Sequence, residues 1–504
     1  MVLWVRILAL TLIATPIVHA RPNVLLITAD DLGWDSLGCT GNTLPGLSPN
    51  LDQLAAEGML IEHGFIATPI CGPSRQALYT GQFPQRNGYM GHGVQPPRWW
   101  KNQGATTSIT ARLHDAGYLT GLIGKHGSNW CRFSVPSHGS NADTGMGRNP
   151  EKYAAFVRNF LTQAKKAGQP FFLAANAHDP HRHWARHRDE TAQWINDMMG
   201  DASWHPLENG KPYPDPKTQF DPADCPMPAS YPNDDRLKNS LATYYDSVNR
   251  MDEVVGSILR ELNESGLAEN TLVLFLSDHG MAWDLSKWSL YPAGTKTPLL
   301  VRWPGKITPG TIDRESVVSV VDIAPTLAEV CNLSPMQHVD GSSFRSLLNG
   351  QASAWKRRQA FSCFNYMNNL APINESIDAY TPNLAEKNDQ YRPSRALNTT
   401  QFSYVWNGWA NGSATLPRTM LGELQWLLGK YHDKPSYAER IHFIKHRAPE
   451  ELYDIVKDPG CQNNLANSPE YRVKIDQFRK QLAALLAETK DHEVENYRSF
   501  LQAR

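Results

Sequence analysis

Apolar runs that end abruptly in polar residues recur along this chain. "NVLLITADD" closes on Asp30 and Asp31, "YLTGLIGK" on Lys125, "PFFLAANAHD" on Asp179, and "TLVLFLSDHG" on Asp278 and His279. Each run is short and continuously apolar, the pattern of a strand buried on both faces, and each puts charge or imidazole at its carboxyl end. Between them lie segments of helical period. "SPNLDQLAAEG" predicts a helix with Ser48 as cap, Pro49 in the first turn and Gly58 at the stop. "ITARLHDAG", "EKYAAFVRNFLTQAKKAG" and the long "DRLKNSLATYYDSVNRMDEVVGSILRELNESG" predict three more. Strands alternating with helices predict an α/β fold with a largely parallel sheet, and such sheets bind ligands outside their carboxyl edge.

Near residue 360 the pattern changes. "FNYMNNLAPINESIDAYTPNLAEKNDQYRPSR" is rich in Asn and Pro and reads as a long loop. "FSYVWNGW" and "EELYDIVKDP" follow as short strands, and "KIDQFRKQLAALLAET" as an amphipathic helix. The expected organisation is a signal peptide over 1–20, a catalytic domain over 21–370, and a smaller α+β subdomain with an antiparallel sheet over 371–504.

The opening "MVLWVRILALTLIATPIVHA" has one charge, Arg6, a short apolar stretch, and a small-residue site before Arg21, which together predict cleavage after Ala20 and export. No later run is long enough to span a bilayer. Net charge is −1, which excludes broad steering toward nucleic acid, so any anion specificity has to be local. The seven cysteines are widely spaced with no C-x-x-C pair, which argues against a zinc knuckle. Export permits disulfides, and an odd count leaves at least one thiol outside any internal pairing.

"CGPSRQALYTG", from Cys71 to Gly81, is the most specific stretch. It resembles the signature of the type I, formylglycine-dependent sulfatases, C-x-P-S-R followed by T-G. The Asp-Asp after the first strand, the "GK" with a neighbouring His, "HDPHR", "SDHG" and "LYPAGTKTPLLVRWPG" stand in the order of that family over nearly the whole mature chain. "HDPHR" and "LYPAGTKTPLLV" are similar to its sulfamidase (heparan N-sulfatase) branch. The resemblance implies an alkaline-phosphatase-like sandwich, a large mostly parallel sheet flanked by helices, with the smaller C-terminal subdomain.

It further implies that a maturation enzyme oxidises Cys71 to 3-oxoalanine (formylglycine). The hydrated aldehyde has two hydroxyls on one carbon: one attacks sulfur, and the other later expels sulfate. Asp30, Asp31, Asp278 and His279, with residue 71, are the implied ligands of one divalent metal, Ca2+ foremost, with Mg2+ or Mn2+ as substitutes. Many family members have Asp-Asn where this chain has Asp278-His279. His279 is therefore either a ligand with altered metal preference or a partner of the nucleophile. Arg75 is expected beside the aldehyde hydrate, Lys125 and Lys287 on the sulfate oxygens, and His181 as proton donor to the leaving atom. His126 matches the histidine that takes the diol proton, though the family spacing G-K-x-H is shortened here to G-K-H. Asp179 and Arg182 are candidates for the sugar or its amine, and Trp99 and Trp100 for stacking on a ring. Met146-Gly147-Arg148 reads as a loop entering the next helix.

These readings predict an exported hydrolase, periplasmic or secreted, or lysosomal in a eukaryote. Its substrate would be a sulfated, glucosamine-type saccharide carrying a sulfate ester or sulfamate. Two alternatives stay open: a phosphonate or phosphodiester hydrolase of the alkaline-phosphatase superfamily, favoured by Asp278-His279, and a catalytically silent carbohydrate-binding relative.

Overall fold

The structure is a computed structural model that describes residues 21–91, 107–125, 131–136, 147–182, 184, 207–208, 211–366, 391–416 and 435–504. The predicted leader, His126 and the Trp99-Trp100 pair lie outside these residues. The strands in chain order are β1 (Asn23–Ala29), β2 (Met59–Phe65), β3 (Leu119–Gly124), β4 (Val135–Pro136), β5 (Phe171–Asn176), β6 (Leu207–Glu208), β7 (Lys211–Pro212), β8 (Thr271–Ser277), β9 (Lys296–Arg302), β10 (Thr311–Ser319), β11 (Ala360–Tyr366), β12 (Tyr391–Asn398), β13 (Phe402–Asn407) and β14 (Glu450–Asp454).

Eight of them form one sheet in the order β10-β2-β9-β8-β1-β5-β3-β4. The run β8-β1-β5-β3 is parallel throughout, and β9 alone runs antiparallel to both of its neighbours. Along β1 the side chains alternate between two cores. Leu25 and Ile27 face a cluster built with the helices Pro150–Ala167 and Asp235–Glu264. Val24 and Leu26 face another that takes in the helices Cys71–Thr80, Ile323–Val330 and Arg472–Glu488. Burial on both sides explains why these strands read as unbroken apolar runs.

The second cluster also holds Phe361, Leu397, Tyr404, Trp406 and Leu452 of the small antiparallel sheet β11-β12-β13-β14. That sheet begins with Ala360–Tyr366, earlier than a boundary at residue 370 implies. Both ends of the stretch read as loop are strand: "FNY" closes β11 and "YRPSR" opens β12. Pro393 lies in an interior strand, where the missing N–H would break the ladder. The β11–β12 register shifts between Phe364 and Tyr366, opposite this position, and absorbs the defect. The chain ends in one helix more than the sequence pattern suggested, Val494–Gln502.

The helix after Ser48 runs Pro49–Glu57 and stops at Gly58 as expected, but its cap is tertiary. The Ser48 hydroxyl is turned to Gly38 N and Asp52. The Asp252 carboxylate, from the long helix, accepts from Asn50 N at 3.0 Å and Leu51 N at 2.8 Å instead. All seven cysteines are free thiols.

Candidate active site

Four adjacent parallel strands stop at the same level, and the residues just beyond them converge. Asp30 and Asp31 follow β1, Asp278 and His279 follow β8, His178 follows β5, and Lys125 follows β3. On a continuing strand Asp30 and Asp31 would point to opposite faces. Asp31 instead takes φ 63°, a left-handed conformation costly for a non-glycine residue, and both carboxylates turn into one centre. The turn is held across strands: Asp31 N donates to Asp278 Oδ1 at 3.2 Å and Leu32 N to Ser277 Oγ at 3.0 Å. Gly124 has φ 86°, and a Cβ there would fall 1.9 Å from Asn176 O, so only glycine lets β3 close on β5 just before Lys125.

Cys71 is the first residue of a wholly buried helix, Cys71–Thr80, that enters this centre from the far side of β9. Its Sγ lies 3.1 Å from His279 Nε2 and 3.9 Å from Asp31 Oδ1. The ring of Tyr89 packs over Gly72 so closely that a Cβ there would meet Cε1 at 2.8 Å. His279 Nδ1 donates to Gly280 O at 2.8 Å, which turns Nε2 toward the thiol and toward Asp31 Oδ1, 3.1 Å away.

Cations surround the carboxylates. Lys287 Nζ donates to both oxygens of Asp31 at 2.8 Å. Arg75 spreads over three partners, Asp278 Oδ2 at 3.0 Å, Thr28 Oγ1 at 2.6 Å and Ala29 O at 3.4 Å. Lys125 closes on Asp30 as an ion pair. His181 Nε2 stands 3.9 Å from Asp31 Oδ2, with its Nδ1 donating to Arg182 O at 2.7 Å.

The electrostatics follow from burial among these charges. Burial alone would raise the Cys71 thiol, but Lys125, Lys287 and His279 outweigh it and hold the group well below the usual thiol range. Burial also disfavours a charged Asp30, and Lys125 overrides it, keeping the carboxylate ionised. Asp278 is raised by burial and by the neighbouring Asp30 charge. Burial works against an imidazolium at His279, yet Asp278, the Cys71 thiolate and Asp31 push it up to about 9.

The residues present fit a divalent cation. Asp30 is fully buried; Oδ2 pairs with Lys125, and Oδ1 meets no hydrogen-bond donor among the described residues, an expensive state for a buried carboxylate oxygen unless another partner completes it. Asp30, Asp31, Cys71 and His181 offer ligand atoms within 4.8 Å of one another, as do Asp30, Cys71, Asp278 and His279. Hard carboxylate oxygens of this kind suit Ca2+ or Mg2+.

Of the residues singled out in the sequence, Cys71, Arg75, Lys125, Lys287, His181, Asp30, Asp31, Asp278 and His279 come together here. Asp179 does not join them. Its carboxylate is fully buried and taken by Arg148 Nε at 2.8 Å and Arg250 Nε at 2.6 Å, so no oxygen faces a sugar. Arg182 is partly buried and its NH2 donates to Ala282 O at 2.5 Å. The sequence reading passed over Thr28, Tyr89, His178 and Arg250, and took Arg148 only as part of a loop. "HDPH" placed His178 one residue from Asp179, the only signal for any of them.

A sheet edge that presents clustered carboxylates, cations and a buried cysteine at a helix N-terminus suits a hydrolase of small tetrahedral anionic groups. Residues 22–333 match the family model for Sulfatase, and the chain belongs to the sulfatase family. Human N-sulphoglucosamine sulphohydrolase is 30% identical over 94% of this chain and 91% of its own length. An ulvan-active sulfatase of Formosa agariphila is 27% identical over 92% of this chain and 74% of its own. A solved structure in complex with its substrate D-glucosamine-2-N,6-O-disulfate superposes with a TM-score of 0.65 at 18% identity, covering 94% of this chain and 99% of that one. The fold is therefore the alkaline-phosphatase-like sandwich of these enzymes. Phosphonate monoester hydrolase of Agrobacterium radiobacter shares it, with a TM-score of 0.61 at 20% identity, covering 93% of this chain and 96% of that one.

Proposed function

We propose that this sulfatase removes a sulfate ester or sulfamate from a glucosamine-type residue of a sulfated saccharide, after Cys71 has been converted to formylglycine by a maturation enzyme. The observation that carries the reading is the meeting of buried Cys71 with three buried carboxylates and three fixed cations, Arg75 and Lys287 buried and Lys125 partly so. These six charges cancel. A sulfate ester entering with a dication offsets half of the metal's charge, which a low-dielectric site favours.

The Sγ of Cys71 stands where an oxygen of the aldehyde hydrate would be. That hydrate supplies one hydroxyl to attack sulfur and a second to expel sulfate. Asp30, Asp31 and Asp278 would hold the metal, Ca2+ being the natural occupant, which would polarise the sulfate and lower the proton affinity of the nucleophile. His279, anchored at Nδ1, directs Nε2 at the nucleophile and at Asp31 and orients both. Lys125 and Lys287 are within reach of the same centre and would turn to the sulfate oxygens. His181, its Nδ1 proton held by the Arg182 carbonyl, offers Nε2 to protonate the leaving oxygen or nitrogen. Arg75, saturated by Asp278, Thr28 and Ala29, acts from beneath by fixing Asp278.

Among the described residues no helix is long and apolar enough to cross a membrane. Together with the leader-like segment 1–20, this supports export.

The test is sulfate release from defined saccharides carrying N-sulfate, 6-O-sulfate or both, beside phenyl phosphonate, using enzyme whose Cys71 peptide shows the aldehyde mass. Turnover of a glucosamine sulfate supports the reading. Faster turnover of phenyl phosphonate by orders of magnitude overturns it in favour of a phosphonate hydrolase. Unmodified thiol in protein from its native host points to a silent relative.

A further inference from the structure

The segment His178–Arg182 brings His181 to the centre, and what fixes that segment is a buried clamp outside the site. Asp179 Oδ1 accepts from Arg148 Nε at 2.8 Å and Arg250 NH2 at 3.2 Å, and Oδ2 accepts from Arg250 Nε at 2.6 Å. All three side chains are at least nine-tenths buried. Arg148 precedes the helix Pro150–Ala167 and Arg250 lies within Asp235–Glu264, so one carboxylate ties the loop after β5 to both helices. The ring of Tyr213 sits under both guanidinium groups, 5.4 Å from Arg148 and 6.0 Å from Arg250.

The clamp reaches His181 directly. Arg148 NH2 donates to the His181 carbonyl at 2.9 Å. His181 N closes a turn on His178 O at 2.9 Å, and the two imidazoles stack 4.8 Å apart. His178 N is in turn held by Gly147 O at 3.3 Å, next to Arg148 in the chain. Gly147 has φ 76°, and a Cβ there would lie 2.4 Å from His178 N, so the approach admits no side chain. Two arginines converge on one carboxylate, and one of them, Arg148, also holds the backbone of the proposed proton donor through NH2.

We propose that Arg148 and Arg250 are positioning residues that, through Asp179, hold His181 at the distance from Asp31 at which its Nε2 can protonate the leaving atom. The proposal rests on the reading of His181 as that donor. A donor displaced by about 1 Å loses on the order of 10²-fold in rate. The loss falls on substrates that need protonation and spares those that do not.

The experiment compares wild type, Arg148→Ala, Arg148→Lys, Arg250→Ala and His181→Ala, each carrying formylglycine, on two substrates. One is a glucosamine sulfate with an unactivated leaving group; the other is 4-nitrophenyl sulfate, whose leaving group departs as a stable phenolate. The expected result for Arg148→Ala and Arg250→Ala is a kcat on the saccharide reduced about 10–100-fold more than on the aryl sulfate, with KM changed less than about threefold. Arg148→Lys keeps one bond to Asp179, is the variant to use if the alanine variants do not fold, and should show an intermediate gap. Equal loss on both substrates, or loss confined to thermal stability, overturns the clamp. The His181→Ala control separates the two readings: if it also loses equally on both substrates, His181 is not the proton donor and the premise itself fails.

Discussion

Two of the buried ionic clusters in this molecule, one at the carboxyl edge of the large sheet and one behind the small sheet, are built by opposite rules. Behind the small sheet Arg395 and Asp491 are both fully buried and meet in a bidentate pair, with Nε and NH2 each 2.7 Å from a carboxylate oxygen. Arg395 NH1 donates to Phe364 O at 3.1 Å and to Ser394 O at 2.9 Å, and Asp491 also accepts from Glu493 N at 2.9 Å. All three guanidinium nitrogens and both carboxylate oxygens there are hydrogen-bonded. At the sheet edge Asp30 is just as buried, yet only Oδ2 is paired, with Lys125, and Oδ1 meets no donor among the described residues, while Asp31, Asp278, two further cations and a thiol crowd beside it. Burial of charge is common to both. Saturation marks the pair that holds the fold together, and lack of it marks the one built to receive something.

The comparison can be broken or sharpened by experiment. The largest effect is expected at the nucleophile. Cys71→Ala should abolish sulfate release, by at least about 10³-fold, with the melting temperature little changed; appreciable residual turnover in a continuous sulfate assay would show that the sheet-edge cluster does its chemistry without residue 71. Next is Asp30→Asn. It should cost on the order of 10²-fold or more in kcat and most of the bound metal, read by elemental analysis of the purified protein, but less stability than losing a saturated pair, because the amide oxygen still accepts from Lys125 and the donor-free Oδ1 charge is removed. Asp491→Ala should do the reverse, costing about 3–5 kcal/mol in a denaturant titration while the folded fraction keeps its kcat. If Asp30→Asn were the more destabilising of the two, the distinction drawn from saturation would fail.

Removing metal with a chelator should suppress activity and Ca2+ should restore it, and restoration by Mn2+ or Mg2+ instead would assign a different preference to the His279 position. The smallest effect concerns pH. Burial opposes a charged Asp491, but Arg395 and His492 prevail and hold it below the ordinary carboxylate range. The group's contribution is therefore present above the unfolded-state value of about 3.9 and is lost as pH falls through the lower folded value. In the double variant Arg395→Met/Asp491→Leu the steepening of acid unfolding below about pH 4 should be weaker by a fraction of a proton, measured as the slope of stability against pH. An unchanged slope would show that the pair does not set acid stability.

Much of this was legible without coordinates because it is local. β1, β3, β5 and β8 are read from runs whose apolar faces are both buried, and the polar residues that end them are read directly as Asp30, Asp31, Lys125, Asp278 and His279. The helix stop at Gly58 is legible for the same reason, but its cap is not: Ser48 has the right chemistry, and the bond is made by Asp252, 202 residues away. Asp179 was misjudged on the same ground. Beside His181 a carboxylate looks available, and only the arrival of Arg148 and Arg250 from two helices takes it out of the site. The second strand of the small sheet, β12, was hidden by Pro393, whose effect is cancelled by a register shift against the neighbouring strand.

What the sequence determined by itself is the set of groups and their order: a signature cysteine, paired carboxylates and isolated cations, each placed at the end of an element by hydrophobic periodicity. What the tertiary structure alone decided is which of those groups share a cavity and which satisfy one another. Periodicity is a property of neighbours along the chain, whereas saturation of a buried charge depends on partners that parallel strand pairing and helix packing bring from hundreds of residues away.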